Sequence, residues 1–523
     1  MRRSFLIAAP LGFLAVFFAW PVVAILGRGL IHNGALDLQP LLDTIAQERM
    51  RNIAGYTVGQ AALSTAITVV IGVPVAIVLE QFSFRGVAAM RALVVVPFVL
   101  PTIVVGAAFR SLGLTGSLAA IVLAHAYFNV AVVVRIVGTA WAHRDNRHRD
   151  IATMLGANPW QRFSTVTVPY LRPAILGSTA IVFLFCFTSF GVILVLGAPG
   201  TNTIETEIYR TTTQLLDLRT AAALTLLQMV VVLTVLGVGR RIGRGPAAEA
   251  GADRMARPVP PRGRQWGAVV SVVAVVGIGL GLPMLELVRR SLAHGGAGYE
   301  HLGRTLSGDL GSGWDAIRTS VAIALVATII SVMLGLAASI ALAHAARHRW
   351  ARLADGFLML PLGISAVTVG FGFLITLDEP PLDLRTSWWI IPIAHSIVAL
   401  PFVIRATLPI MGSIPSQLRG AATMLGAGPH RVWWEIDFPI VRRAAAVAAG
   451  FAAVISLGEF GATLFIVRPE TTTLPVAIFR GLGRPGAANT DRAMALAVAL
   501  MVITMVIMLI AGREGNRRPA RTA

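Results

Sequence analysis

Few residues in this chain could do chemistry, and what is missing narrows the field first. No lysine occurs, so all 44 basic residues are arginine. A standard P-loop needs a lysine on the β- and γ-phosphates, and a Schiff base needs an amine. Neither chemistry is open to this sequence. The one cysteine, Cys186, allows no internal disulfide framework and no cysteine-based metal site, and it reads as a small apolar residue inside a helix. No HExxH, paired-histidine or carboxylate cluster occurs, so neither a catalytic nor a metal site is expected. One carboxylate stands apart. Glu459 lies in a long apolar run, between Gly458 and Phe460-Gly461.

The strongest pattern is a repeat. Asp150 to Pro169, DIATMLGANPWQRFSTVTVP, returns 270 positions later as Gly420 to Pro439, GAATMLGAGPHRVWWEIDFP. The sextet from Ala152 through Gly156 to Ala157 recurs letter for letter as Ala422 through Gly426 to Ala427, and Pro159 and Pro169 recur as Pro429 and Pro439. The same offset relates His125 to His395, Arg135 to Arg405, Phe190-Gly191 to Phe460-Gly461, and Arg210 to Arg480. The partner of Glu459 is Ser189. Segment 147–160 reads as a short helix with small residues Ala152, Gly156 and Ala157 at neighbouring positions. Asp150 falls near its positive end, and Gly156 and Pro159 stop or turn it. Such a helix can press into a groove on another protein. Trp160, Arg162, Arg431, Trp433 and Trp434 would serve as anchors at its edge.

The elements that hold these residues follow from composition. The 523 residues are 56% hydrophobic and 13% charged. Soluble domains run at roughly 45–50% apolar and about 25% charged. A polytopic membrane protein is the reading, and with no water to satisfy open backbone groups it must be all-α. Apolar runs fall near 5–26, 56–79, 92–109, 117–139, 172–197 and 219–239. They fall again near 267–288, 317–344, 353–377, 387–411, 442–467 and 492–512. That gives about 12 spans in two parallel repeats of six, 1–240 and 266–513. Between them lies a Pro/Gly/Arg-rich linker, 241–265, and a basic tail, 514–523, follows. The start Met1-Arg2-Arg3-Ser4-Phe5-Leu6 resembles a twin-arginine export signal, but the apolar run after it is long enough to be an uncleaved first span.

The net charge of +19 is carried by arginines between the spans, which argues for anionic lipid rather than nucleic acid. Arginine-dense segments include Arg144 to Arg162, 240–264, the second repeated loop and the tail. The positive-inside rule places them, and both termini, in the cytoplasm. Kinks are expected at Pro97, Pro101 and Pro361.

The repeated stretch fits the pattern acid-Ala-Ala, three residues, Gly, nine residues, Ile-x-Leu-Pro, and so resembles the "EAA" loop of ABC-importer permeases. The departures are Ile151 for the first alanine and Gly420 for the acid. The resemblance covers nearly the whole chain and implies a fused, double-length permease of the bacterial inner membrane, of the thiamine or ferric-iron importer type. Ala120 to Arg135, Phe183 to Tyr209 and Val454 to Phe465 are similar to the thiamine permeases most of all, which puts thiamine ahead of iron. It implies further that each loop is a coupling helix for one ATP-binding subunit, resting on Asp150, Ala152, Gly156 and Pro169, and on Ala421, Ala422, Gly426 and Pro439. Two copies of that subunit would carry ATP and magnesium, leaving no cofactor on this chain. A solute-binding protein would deliver cargo.

Residues inside the membrane leave two readings open. Ser189, Phe190 and Gly191, with Gly458, Glu459, Phe460 and Gly461, could line a path or gate, where Glu459 would favour a cation. Alternatively, Glu459 is a hydrogen-bond partner between helices. His125 and His395 read as such partners. The other class considered is an ion-coupled transporter of six plus six helices. It would carry several ionisable groups near mid-membrane, whereas Glu459 is the one clear candidate here.

Overall fold

Long apolar runs must satisfy their own backbone hydrogen bonds, and the chain does so with helices. The computed structural model describes residues 6–32, 35–37, 39–144, 147–242, 258–304, 311–345, 348–378 and 382–516. Arg2, Arg3, most of the linker and the tail from 517 lie outside the described residues. Among the described residues, 10 helices are long and apolar enough to cross a membrane, from Ala8–Leu30 to Ala487–Arg513. The only sheet there is a two-residue ladder, Ile31–His32 with Ala35–Leu36.

Four of the twelve expected runs are not continuous. The third is two helices, Val87–Val99 and Thr102–Ser111, bent by 106° at Leu100-Pro101. Its counterpart in the second repeat breaks into Arg349–Leu358, a 3-10 turn Leu360–Gly363 around Pro361, and Ala366–Thr376. Proline has no N–H and its ring crowds the preceding turn, so both breaks fall where proline was expected to kink a helix. The fifth and eleventh runs end early, at Phe187 and Gly458, and resume as the short helices Gly191–Leu196 and Thr463–Ile466. No proline marks these breaks, and hydropathy alone reads through them.

The chain forms two compact units whose membership does not follow chain order. One comprises 42–207 and 226–290, the other 1–41, 208–225 and 291–523. In the first unit, helices Glu48–Gln81 and Leu118–Ala142 pack along their length. A Cβ at Gly72 would lie 2.7 Å from Val133 Cβ, so the contact requires glycine. In the second unit, Gly335 lets helix Gly313–His344 meet Val403 on Ile390–Ser413 in the same way. The N-terminal helix packs there along Ala366–Thr376. Each unit also uses a hydroxyl to start the helix that follows its break, Ile204–Thr213 or Leu474–Gly483. Thr57 Oγ1 accepts the Ile204 N–H at 3.0 Å, and Ser320 Oγ accepts the Leu474 N–H at 2.6 Å.

Candidate functional site

The repeated loop is built the same way twice. Its helices are Arg147–Met154 and Ser416–Met424. In the first, the Ala157 N–H donates to Ala152 O at 2.9 Å and the Gly156 N–H to Thr153 O at 3.0 Å. In the second, Ala427 donates to Ala422 at 2.9 Å and Gly426 to Thr423 at 3.0 Å. This pair of bonds is a Schellman closure, which needs its glycine in the left-handed region. Gly156 has φ +79° and Gly426 φ +82°, and no atom lies within 4 Å of a Cβ built on either. Backbone conformation, not space, demands glycine. The helix therefore stops at Met154, just ahead of the glycine expected to stop or turn it. Gly156 and Ala157 belong to the turn, while Ala152, Ala421 and Ala422 are helical, and Ala152 and Ala422 present carbonyls that close it. Asp150 lies on the first helix, and its side chain is outside the described residues.

After the turn, Pro159 and Pro429 each open a four-residue helix, the first capped by a reciprocal Asn158–Gln161 box at 2.8 and 2.9 Å. A π-turn follows in both copies, Phe163–Thr167 and Trp433–Asp437, and then the long helices that begin at Val168 and Phe438. Pro169 and Pro439 sit just past these turns. A proline cannot donate to the carbonyl four residues back, and the wider turn accommodates that gap. From Pro159 and from Pro429 onward, the chain is thus one continuous helix with a fixed defect, Pro159–Phe187 and Pro429–Gly458.

The tip of each loop is apolar and bare. Met154 and Leu155 are 87% and 81% exposed, Met424 and Leu425 89% and 88%. Trp160 is exposed as well and stacks near Phe163, with ring centroids 5.9 Å apart. Clusters like these mark contact sites on proteins. Arg162 bonds Thr153 Oγ1 at 2.8 Å, and Arg431 pairs with Glu435 at 2.8 Å, so both arginines stiffen their loop. Trp434 is half exposed. Trp433 instead packs against the Met411, Ile414 and Val441 cluster.

One loop feature escaped the sequence reading. Arg419 Nε donates to Asp437 Oδ1 at 2.7 Å, and Asp437 is fully buried. The pair ties the second loop helix to its π-turn. The available signal was a second acid, after Glu435, directly before Phe438-Pro439. In the first copy the equivalent position is Thr167.

The second set of residues lies where the fifth and eleventh runs break. Ser189 and Phe190 are buried and separate helix Val168–Phe187 from the short helix opened by Gly191. In the other unit, Gly458 ends its helix, and Glu459 Oε1 accepts the Ala462 N–H at 2.9 Å. A carboxylate there satisfies a donor that the broken helix leaves open. Phe460 is buried against Phe479, centroids 5.4 Å apart. Gly461 faces Ala366 and Val367 at the start of helix Ala366–Thr376, beyond the break in the ninth run. His395 bonds Ser456 Oγ and Thr463 Oγ1, both at 2.8 Å, and so bridges the break. His125 bonds Ser64 Oγ at 3.1 Å. Both histidines are interhelical partners, as expected. Among the described residues no group of three or more His, Cys, Asp or Glu could hold a metal.

An all-helical, multi-pass chain with proline-broken spans and a duplicated glycine-closed loop defines a membrane permease. Its similarities to known proteins support a double-length permease of the binding-protein-dependent ABC-importer type. Residues 69–243 match the family model for the binding-protein-dependent transport system inner membrane component. The thiamine transport system permease protein ThiP of Brucella abortus (strain 2308) is 28% identical over 510 residues, 93% of this chain and 91% of that one. Its namesake from Escherichia coli (strain K12) is 26% identical over 494 residues, 89% of each chain. A putative 2-aminoethylphosphonate transport system permease protein of Salmonella typhimurium is 28% identical over 263 residues, 49% of this chain and 97% of its own length. The family is one of transport, not of catalysis, and it places the chain in the inner membrane beside ATPase and solute-binding partners. The ion-coupled alternative is not favoured.

Proposed function

We propose that this chain forms the path by which thiamine, or a close relative of it, enters the cell. The support is the match to thiamine permeases over 93% of the chain. A solute-binding protein delivers the cargo, and two copies of an ATP-binding subunit supply the force, one at each repeated loop. ATP hydrolysis belongs to those subunits. The repeats are 1–240 and 266–513, joined by 241–265 and followed by the tail 514–523. The arginine distribution puts both loops and both termini in the cytoplasm. The breaks at Ser189-Phe190-Gly191 and Gly458-Glu459-Phe460-Gly461 form the gate, since a span interrupted in mid-course can turn about the interruption.

The observation that carries the docking role is the duplicated closure at Gly156 and Gly426, which leaves four apolar tip residues almost wholly exposed. Gly156→Val and Gly426→Val are expected to abolish uptake of labelled thiamine and to release the ATPase subunits on affinity purification. The chain itself should remain in the membrane. Gly→Asn at the same positions is expected to keep most activity, because asparagine tolerates a positive φ that costs other residues roughly 1–2 kcal/mol. Full transport by both valine variants together would remove the docking role. Thiamine uptake by the purified chain alone, with neither ATPase nor ATP, would remove the importer reading.

A further inference from the structure

The second unit contains a cleft that transport along the broken spans does not use. It encloses about 320 Å³ and is lined by Arg318, Arg480, Arg492, Thr472, Asp315 and Glu470, among others. Its place in the unit follows from topology. The second repeated loop precedes helix Phe438–Gly458, and the chain reaches Pro469–Thr471 only after that helix, about 30 Å long, has been traversed. The cleft is therefore at the far end of the unit from its loop, which is the outer face if the loops are cytoplasmic.

The charges of the cleft do not cancel. Three guanidinium groups come from three helices, Gly313–His344, Leu474–Gly483 and Ala487–Asn516. Of the two carboxylates, Asp315 is committed to its own helix start. Its Oδ2 accepts the Ser312 N–H at 2.9 Å and the Ser312 hydroxyl at 2.8 Å. Among the described residues, neither Arg318 nor Arg480 has a carboxylate oxygen within 4 Å. Arg480 reaches only Thr472 Oγ1, at 3.5 Å. Arg492 is buried and donates to Arg304 O at 3.2 Å. Burial and the nearby Arg484 push the Arg480 guanidinium below its usual range, against the opposing pull of Tyr209. A half-buried cation in that position gains from an anion that brings several acceptor oxygens. The first repeat does not build the same feature. Arg210 matches Arg480, but Ala222 stands at the position of Arg492.

We propose that this cleft is a binding site for a phosphate group, held by Arg480 and Arg318 with Thr472. Arginine forks fit the tetrahedral oxyanion, and the volume admits a phosphate with the first atoms of whatever carries it. The phosphate could belong to a soluble ester or to a phospholipid headgroup, and the test separates the two.

The full-length chain is reconstituted in phosphatidylcholine nanodiscs and titrated with inorganic phosphate by calorimetry at constant ionic strength, with chloride as control. Saturable phosphate binding is expected, with no response to chloride. Arg480→Gln and Arg318→Gln are each expected to weaken it by roughly ten- to hundredfold, the worth of a charge-assisted hydrogen bond. Arg318 is exposed, so its replacement leaves the fold intact even if the Arg480 variant does not fold. Glu470→Gln should bind as well as the parent or better. The titration is then repeated in discs containing phosphatidylglycerol. A marked loss of phosphate affinity there assigns the site to a headgroup, and unchanged affinity assigns it to a soluble phosphate ester. Absence of saturation in the parent chain, or parental binding by both arginine variants, overturns the proposal.

Discussion

Two acids separate structural from transport roles at the residue scale. Glu459 spends one oxygen on the Ala462 N–H, and glutamine can make the same bond without the charge. If Glu459 shapes the gate by closing the helix break, Glu459→Gln should transport thiamine at near-parental rate. Glu459→Ala should lose transport, together with about 1–2 kcal/mol of stability, the usual worth of a lost cap. Uptake assays on the pair decide it, and failure of the glutamine variant would show that the charge itself is needed. Asp437 is the second case. Removing it strands Arg419, whose side chain keeps 22% exposure. The expected cost of Asp437→Ala is about 2–3 kcal/mol, less than the roughly 3–5 kcal/mol of a fully enclosed pair. The double variant Arg419→Met/Asp437→Leu should recover most of that stability, because an apolar pair of similar size can replace a buried ion pair. Thermal unfolding measures the recovery. If the pair transmits force from loop to span, the double variant should still import poorly while ATP hydrolysis by the complex continues.

Elements carry the lesson about what a sequence reveals. The long helices were legible because hydropathy and length alone decide them. The kinks at Leu100-Pro101 and Leu360-Pro361 were legible because proline is a local cause. The breaks after Phe187 and Gly458 were not, since the backbone groups they expose are satisfied by side chains, the Glu459 carboxylate accepting the Ala462 N–H and the Thr463 hydroxyl donating to Glu459 O, which hydropathy counts only as polar letters. The loop was legible as a repeated motif and its glycine as a helix stop, but that glycine was also counted in a small-residue face, whereas it belongs to the turn, where the backbone needs a left-handed residue. The Arg419–Asp437 tie joins positions 18 apart and has no signature in any local window. A prediction at this scale concerns the π-turns. Pro439→Ala restores an N–H and allows Trp433–Asp437 to relax into regular helix. One residue fewer in the turn would rotate the loop by about 100° relative to the span. Stability should hold or rise, since a proline has left a helix, while uptake falls sharply. A variant that imported normally would show that the orientation of the loop about its span does not matter.

The whole molecule is one chain whose two compact units each borrow a helix from the other half of the sequence. Residues 1–41 group with 291–523, and 226–290 group with 42–207. Cutting within 241–265 therefore gives fragments that differ from the units. The C-terminal fragment lacks the N-terminal helix that covers Ala366–Thr376, a segment buried along most of its length. The N-terminal fragment lacks Gln265–Ser291. Between helices in lipid the driving force is close packing and hydrogen bonding rather than water exclusion, so a missing neighbour leaves a packing defect that lipid fills poorly. Each fragment expressed alone should accumulate weakly in the membrane and be degraded. The two expressed together should co-purify through a tag on either one and restore thiamine uptake, since every helix is then present and only the linker is open. Membrane-fraction blots and uptake measurements check both halves of this expectation. Full accumulation of the C-terminal fragment on its own would mean that helix Ala8–Leu30 contributes little to the unit it joins.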